Sequence, residues 1–113
     1  MLILKDLTME KKRHWVYLIG NKEHNVYKIG RTSANVQNRP KGVGGPYELE
    51  LLTKFEVSTE DGAKWLEHQI HWVFRDRKLK QRGEWFRNLT TRGFLKVARR
   101  EMEERVVPRG LDG

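Results

Sequence analysis

Apolar residues fall in short β-rich runs in the first half of the chain and at helical spacing in the second. Trp15-Val16-Tyr17-Leu18-Ile19 is dense in β-branched and aromatic residues and stops at Gly20. Val26-Tyr27-Lys28-Ile29-Gly30 follows after the polar, turn-like residues 21–25. This pattern predicts the two strands of a β-hairpin. Thr32-Ser33-Ala34-Asn35 can open a short helix that Pro40 must end, and Gly42-Val43-Gly44-Gly45-Pro46 reads as a loop. Residues 49–57 predict a third strand, with Leu49, Leu51, Phe55 and Val57 at the even spacing of one strand face.

Ser58-Thr59-Glu60-Asp61 is a helix-start signature. The helix it opens carries Ala63, Leu66, Ile70, Val73 and Phe74 on one stripe and ends before the basic run Arg75-Asp76-Arg77-Lys78. Gly83-Glu84-Trp85-Phe86 reads as a turn. Thr90-Thr91 caps a last helix, at about 91–107, in which Phe94, Leu95, Ala98, Met102 and Val106 share a face before Pro108 and Gly110 close it. The predicted order is ββαβαα. It implies a small α+β domain, a short antiparallel three-stranded sheet flanked by helices, with an extra C-terminal helix.

The 113 residues make one domain, 1–113, and a chain of this length buries roughly two-thirds of its unfolded surface without staples. Counting Gly and leaving out Tyr, about 43% of the residues are apolar, enough for a folded core. Cysteine is absent, which excludes a disulfide scaffold, a zinc ribbon and a thiol nucleophile. No apolar run approaches the roughly 20 residues of a membrane span. Met1-Leu2-Ile3-Leu4-Lys5-Asp6 is too short and too charged for a signal peptide, so the expected location is intracellular, in the cytoplasm. The net charge of +8 changes the picture more, since an excess of Lys and Arg on a small domain favours a polyanionic partner. Basic proteins without a nucleic-acid role also exist, and four Trp suit a core as well as base stacking.

Glu67 and His71 stand four apart, on one side of the central helix at the edge of its apolar stripe. A carboxylate and an imidazole so placed can line a cleft, or form a plain surface ion pair. A Glu oxygen suits Mg²⁺, which keeps most of its waters; His71 suits it poorly and reads as a proton-transfer or phosphate-contact group. Tyr17 and Tyr27 on neighbouring strands are by themselves packing residues. Arg31 and Arg39 can clamp a phosphate. Gly42 to Gly45 lacks the Gly-Lys-Ser/Thr ending of a phosphate loop, and Glu67-His68 is not a zinc-binding H-E-x-x-H motif.

In order, these pieces are Val16-Tyr17, then Tyr27-Lys28-Ile29-Gly30-Arg31-Thr32, Arg39, Leu66-Glu67 with Ile70-His71 and Phe74, and Gly83-Glu84-Trp85-Phe86. The set resembles the GIY-YIG nuclease superfamily, in its phage and bacterial branch with Y-K-I-G-R-T and G-E-W-F motifs, over about residues 14–90. The resemblance implies that Tyr17 activates the attacking water. It further implies that Arg39 and Arg31 stabilise charge on the scissile phosphate, and that Glu67 holds the divalent metal. His71 and Glu84 match motifs of the branch. Trp15 stands at the glycine of the first triplet and Lys28 at the second tyrosine. Strand alternation then turns Lys28 toward the site and Tyr27 away from it. Tyr17, Glu67 and Arg39 are expected to share one cleft.

The implied function is a divalent-metal-dependent endonuclease that cleaves DNA phosphodiester bonds with one Mg²⁺ or Mn²⁺. Arg75, Arg77, Lys78 and Lys80 would hold the backbone without reading sequence. The alternative is a nuclease-derived module that binds nucleic acid without cutting it. A third class is a protein-interaction domain. Trp65, His68 and Trp72 lie opposite the apolar stripe, where either the last helix covers them or they form a homodimer patch.

Overall fold

The computed structural model of the chain describes residues 13–33, 47–79 and 85–106. Three strands, β1 (His14–Asn21), β2 (Val26–Thr32) and β3 (Glu50–Val57), form one antiparallel sheet in the order β2-β1-β3. Two helices follow, α1 (Glu60–Val73) and α2 (Thr91–Val106), with a 3₁₀ turn at Arg75–Arg77 after α1. The α+β class and the three-stranded sheet are as the sequence predicts. The helix expected to open at Thr32 does not start there, since Thr32 ends β2; its remainder to Pro40 and the loop at Gly42 to Gly45 lie outside the described residues. No helix among the described residues is long and apolar enough to cross a membrane.

β1 is the central strand and is buried continuously from Val16 to Gly20, which explains why its sequence does not alternate. Val16 and Leu18 face the helices. There they join Tyr27, Ile29 and Val57 of the sheet, Ala63, Leu66, Ile70 and Phe74 from α1 and its end, and Phe94, Val97 and Ala98 of α2. Tyr17 and Ile19 point the other way and pack with Trp15, Leu49 and Leu51. Both helices therefore lie on one face of the sheet.

The third strand departs from the single-face expectation. Leu18 pairs with Thr53 but Ile19 pairs with Leu51, so Leu52 is an extra residue in a bulge. The bulge switches faces: Leu52, Phe55 and Val57 pack on the helix side, and Leu49 and Leu51 on the far side.

α1 begins where the sequence indicates. Thr59 accepts a hydrogen bond from the Gly62 amide at 2.9 Å, and Glu60 and Asp61 sit in the first turn, where the helix dipole favours acids. Thr90 caps α2 in the same way through the Gly93 amide at 2.9 Å. Between the helices Gln69 Nε2 donates to Glu101 Oε1 at 3.1 Å, giving that buried carboxylate a partner.

Gly83-Glu84-Trp85-Phe86 does not end in a turn. Gly83 and Glu84 lie outside the described residues, and Phe86 is paired with the outer edge of β2. The Tyr27 amide donates to the Phe86 carbonyl at 2.9 Å, and the Phe86 amide to the Tyr27 carbonyl at 2.8 Å. Leu79 and Arg87 amides tie the same ribbon to the segment after α1. The alternation a strand imposes puts Phe86 into the core and Trp85 on the opposite side, beneath Lys28. Asn25 and Asn88 fasten the arrangement. Asn25 Nδ2 donates to Asn88 Oδ1 at 2.8 Å, and the Asn88 amide to Asn25 Oδ1 at 2.9 Å.

Candidate functional site

Arg31 is near the end of β2, on the face that carries Ile29 and the helices, because its register partner is Val16. Glu67 and His71 lie one turn apart on α1, at the margin of its buried stripe. This brings Arg31 Nε to 3.2 Å from Glu67 Oε1, with both side chains partly open to solvent. Glu67, His68, His71 and Lys78 line an open pocket of about 250 Å³.

His71 Nε2 is 3.0 Å from the Ile29 carbonyl oxygen. A carbonyl only accepts, so Nε2 carries the proton and donates, which leaves Nδ1 as the ring atom able to take another. The same Nε2 is 3.8 Å from Glu67 Oε2. Phe86 meets the imidazole edge-on, ring centroids 5.0 Å apart, and fixes its plane. The bonded carbonyl belongs to the outer edge of β2: Tyr27 pairs outward with Phe86, and two residues on Ile29 points the same way. The Phe86 ribbon and His71 thus cover successive positions of one edge.

Tyr17 and Glu67 do not share a cleft. Tyr17 is buried on the far face of the sheet, where register also puts Lys28, across from Ile19. The alternation argument holds in that Lys28 shares the Tyr17 side and Tyr27 does not. It fails for Glu67, because α1 packs on the face of Tyr27, and Tyr27 is buried in that core. Among the described residues the two sets approach each other at the edge strand. The Tyr17 hydroxyl lies over Gly30, whose neighbours Ile29 and Arg31 contact His71 and Glu67. Lys28 Nζ stands 5.1 Å above the Trp85 ring. Arg39, Lys80 and Glu84 lie outside the described residues.

Of the cations expected to hold phosphate, Lys78 lines the pocket. Arg77 Nη1 donates to the Asn88 carbonyl at 2.9 Å and its guanidinium lies over Phe74, so much of it serves the fold. Arg75 lies against Trp72. Trp65 packs against the core with Arg105 over its ring, and Trp72 stays exposed, so α2 covers one of the two tryptophans. His68 was missed as a pocket residue. Its position next to Glu67 and three before His71 was the available signal.

Among the described residues no group of three or more His, Asp or Glu side chains gathers to hold a metal. Glu67 fits only the looser case, a hydrated Mg²⁺ or Mn²⁺ taken by one carboxylate and shared with a phosphate.

Residues 14–106 match the family model described as T5orf172 domain. No curated protein and no solved structure matches the chain. The match overturns the GIY-YIG assignment, because the family is a different one, of nuclease-like, DNA-binding domains. Roles for individual residues therefore rest on the geometry of this chain.

Proposed function

The chain belongs to the T5orf172 domain family, and on that premise we propose that it is a divalent-metal-dependent endonuclease acting on DNA phosphodiester bonds at the pocket lined by Glu67, His68, His71 and Lys78, beside Arg31. The observation that carries this reading is the juxtaposition of a carboxylate, two imidazoles and a lysine around one opening, with Arg31 paired to the carboxylate. Arg31 and Lys78 bind the phosphate and take up the negative charge that grows on it in the transition state. His71, oriented by Ile29 and Phe86, accepts at Nδ1 the proton of the attacking water. The water oxygen bonds to phosphorus, the ester P–O bond breaks, and the leaving oxygen takes a proton from solvent. Glu67 would hold one Mg²⁺ or Mn²⁺, which when bound supplies charge neutralisation beside the phosphoryl oxygens. Tyr17 and Lys28 stay candidates for contacts on the other side of the edge strand at Gly30, and Arg39 and Glu84 stay candidates from the sequence alone. Lys80 extends the basic run, and Arg75 and Arg77 act on DNA only with what their contacts to Trp72 and Asn88 leave over.

A second reading, a DNA-binding module without cleavage, is favoured by one specific contact. Arg31 neutralises Glu67, and a carboxylate so engaged supports binding of the backbone without chemistry. Plasmid nicking in Mn²⁺ and in EDTA, beside binding isotherms in Ca²⁺, separates the two. The enzyme nicks only with Mn²⁺, and Glu67→Ala abolishes nicking while leaving binding nearly intact. Binding without nicking across metals and substrates sinks the enzyme reading and leaves the module.

A further inference from the structure

Trp72 is the one large hydrophobic residue exposed among the described residues, with 62% of its surface in solvent. It is held in place. Arg75, one turn on, lies 3.8 Å above the indole ring centre and donates from Nη1 to the Trp72 carbonyl at 2.7 Å. The hydrogen bond ties the guanidinium to the end of α1, so the ring and the cation form a preorganised stack. Trp72 is also one helical turn from His68, a lining residue of the pocket, and Lys78 of that pocket follows Arg75 by three residues.

We propose that the Trp72–Arg75 stack is a binding platform for one unpaired base of single-stranded DNA, next to the phosphate-binding pocket. This rests on the reading of the pocket as a DNA site and names the form of DNA it takes. A duplex keeps its base faces covered by stacking, so an isolated indole has nothing to pair with there. An unpaired base offers its full face to the side of the ring that Arg75 leaves open. The neighbouring cations are charge-complementary to the phosphates on either side of such a base. A protein partner fits less well, since a standard interface needs several apolar anchors and Trp72 stands alone among the described residues.

The test uses the full chain in Ca²⁺, without turnover, and labelled oligo-dT against a blunt-ended duplex of equal length in anisotropy titrations. Trp72→Ala weakens oligo-dT binding about tenfold, the scale of one lost base–aromatic stack, and changes duplex binding less than twofold. Trp72→Phe retains most of the affinity. Oligo-dT quenches tryptophan emission in the wild type, and most of that quenching disappears in Trp72→Phe. Equal losses on both DNAs, or none on either, overturn the platform while leaving the pocket reading to the nicking assay. A wild type that binds neither DNA overturns both. A concentration-dependent rise in sedimentation coefficient that Trp72→Ala removes assigns the residue to a second copy and overturns the platform.

Discussion

Tyr17 lies across Gly30, its register partner on β2, and fills the space a side chain there would take. The same relation recurs inverted on the other face, where Tyr27 lies across Gly20, its own partner on β1. Each tyrosine thus covers a bare glycine on the neighbouring strand, a pairing that repays the glycine's lost packing. The hairpin is built from this exchange, and it sends the two rings to opposite faces.

Gly30→Ala forces a methyl group into the Tyr17 ring and hydroxyl. Overpacking of this kind costs about 1–3 kcal/mol. Tyr17→Phe offers little relief, because the ring itself also blocks the site. Urea denaturation of Gly30→Ala, alone and with Tyr17→Phe, reads both. A Gly30→Ala midpoint equal to wild type contradicts the packing described.

Arg31→Ala leaves the Glu67 carboxylate without its cation. The pair is partly solvent-exposed, so the attraction removed is worth about 1 kcal/mol or less. Mn²⁺ then binds Glu67 up to about fivefold more tightly, while DNA affinity falls with the loss of a phosphate contact. Mn²⁺ titration followed by electron paramagnetic resonance checks the first effect. Unchanged or weaker Mn²⁺ binding removes Glu67 as the metal residue or Arg31 as its competitor.

Much of this was legible beforehand. The hairpin, the caps at Thr59 and Thr90, and the α1 stripe follow from local chemistry, and the structure reproduces them. Leu52 was not legible, since Leu49-Glu50-Leu51-Leu52 is compatible with either register and only pairing with β1 selects the bulge. The site was half legible. Spacing puts Glu67 beside His71, but which sheet face α1 covers depends on long-range packing, and that choice separates Tyr17 from Glu67. The Ile29 carbonyl bonded by His71 has no side-chain signature at all.

Asn25 and Asn88 sit at φ of 57° and 58°, in the left-handed region that asparagine tolerates better than most residues. Asn88→Ala loses the hydrogen bond from Asn25 and keeps a strained backbone, at about 2 kcal/mol together. Asn88→Gly loses the bond but not the backbone freedom, and costs about half as much. Thermal or urea midpoints of the two variants give the comparison. An alanine variant at least as stable as the glycine one refutes the backbone contribution.

Lys78→Ala removes a single cation from the pocket. DNA affinity drops about threefold to tenfold near 0.1 M salt, and the log–log salt slope falls in magnitude by about one. Isotherms at four ionic strengths measure it. An unaltered slope places Lys78 away from the phosphates.

The His71 bond to Ile29 bears on behaviour in solution as well as on the pocket. β2 is an edge strand, and an edge with bare amides and carbonyls invites a strand from another molecule. The Phe86 ribbon shields one stretch of it and an imidazole shields the next. The side chain proposed to handle protons is therefore also a guard against self-association. A variant such as His71→Ala exposes a pairing template as it removes the imidazole from the proposed site, so any loss of nicking has to be separated from the onset of aggregation.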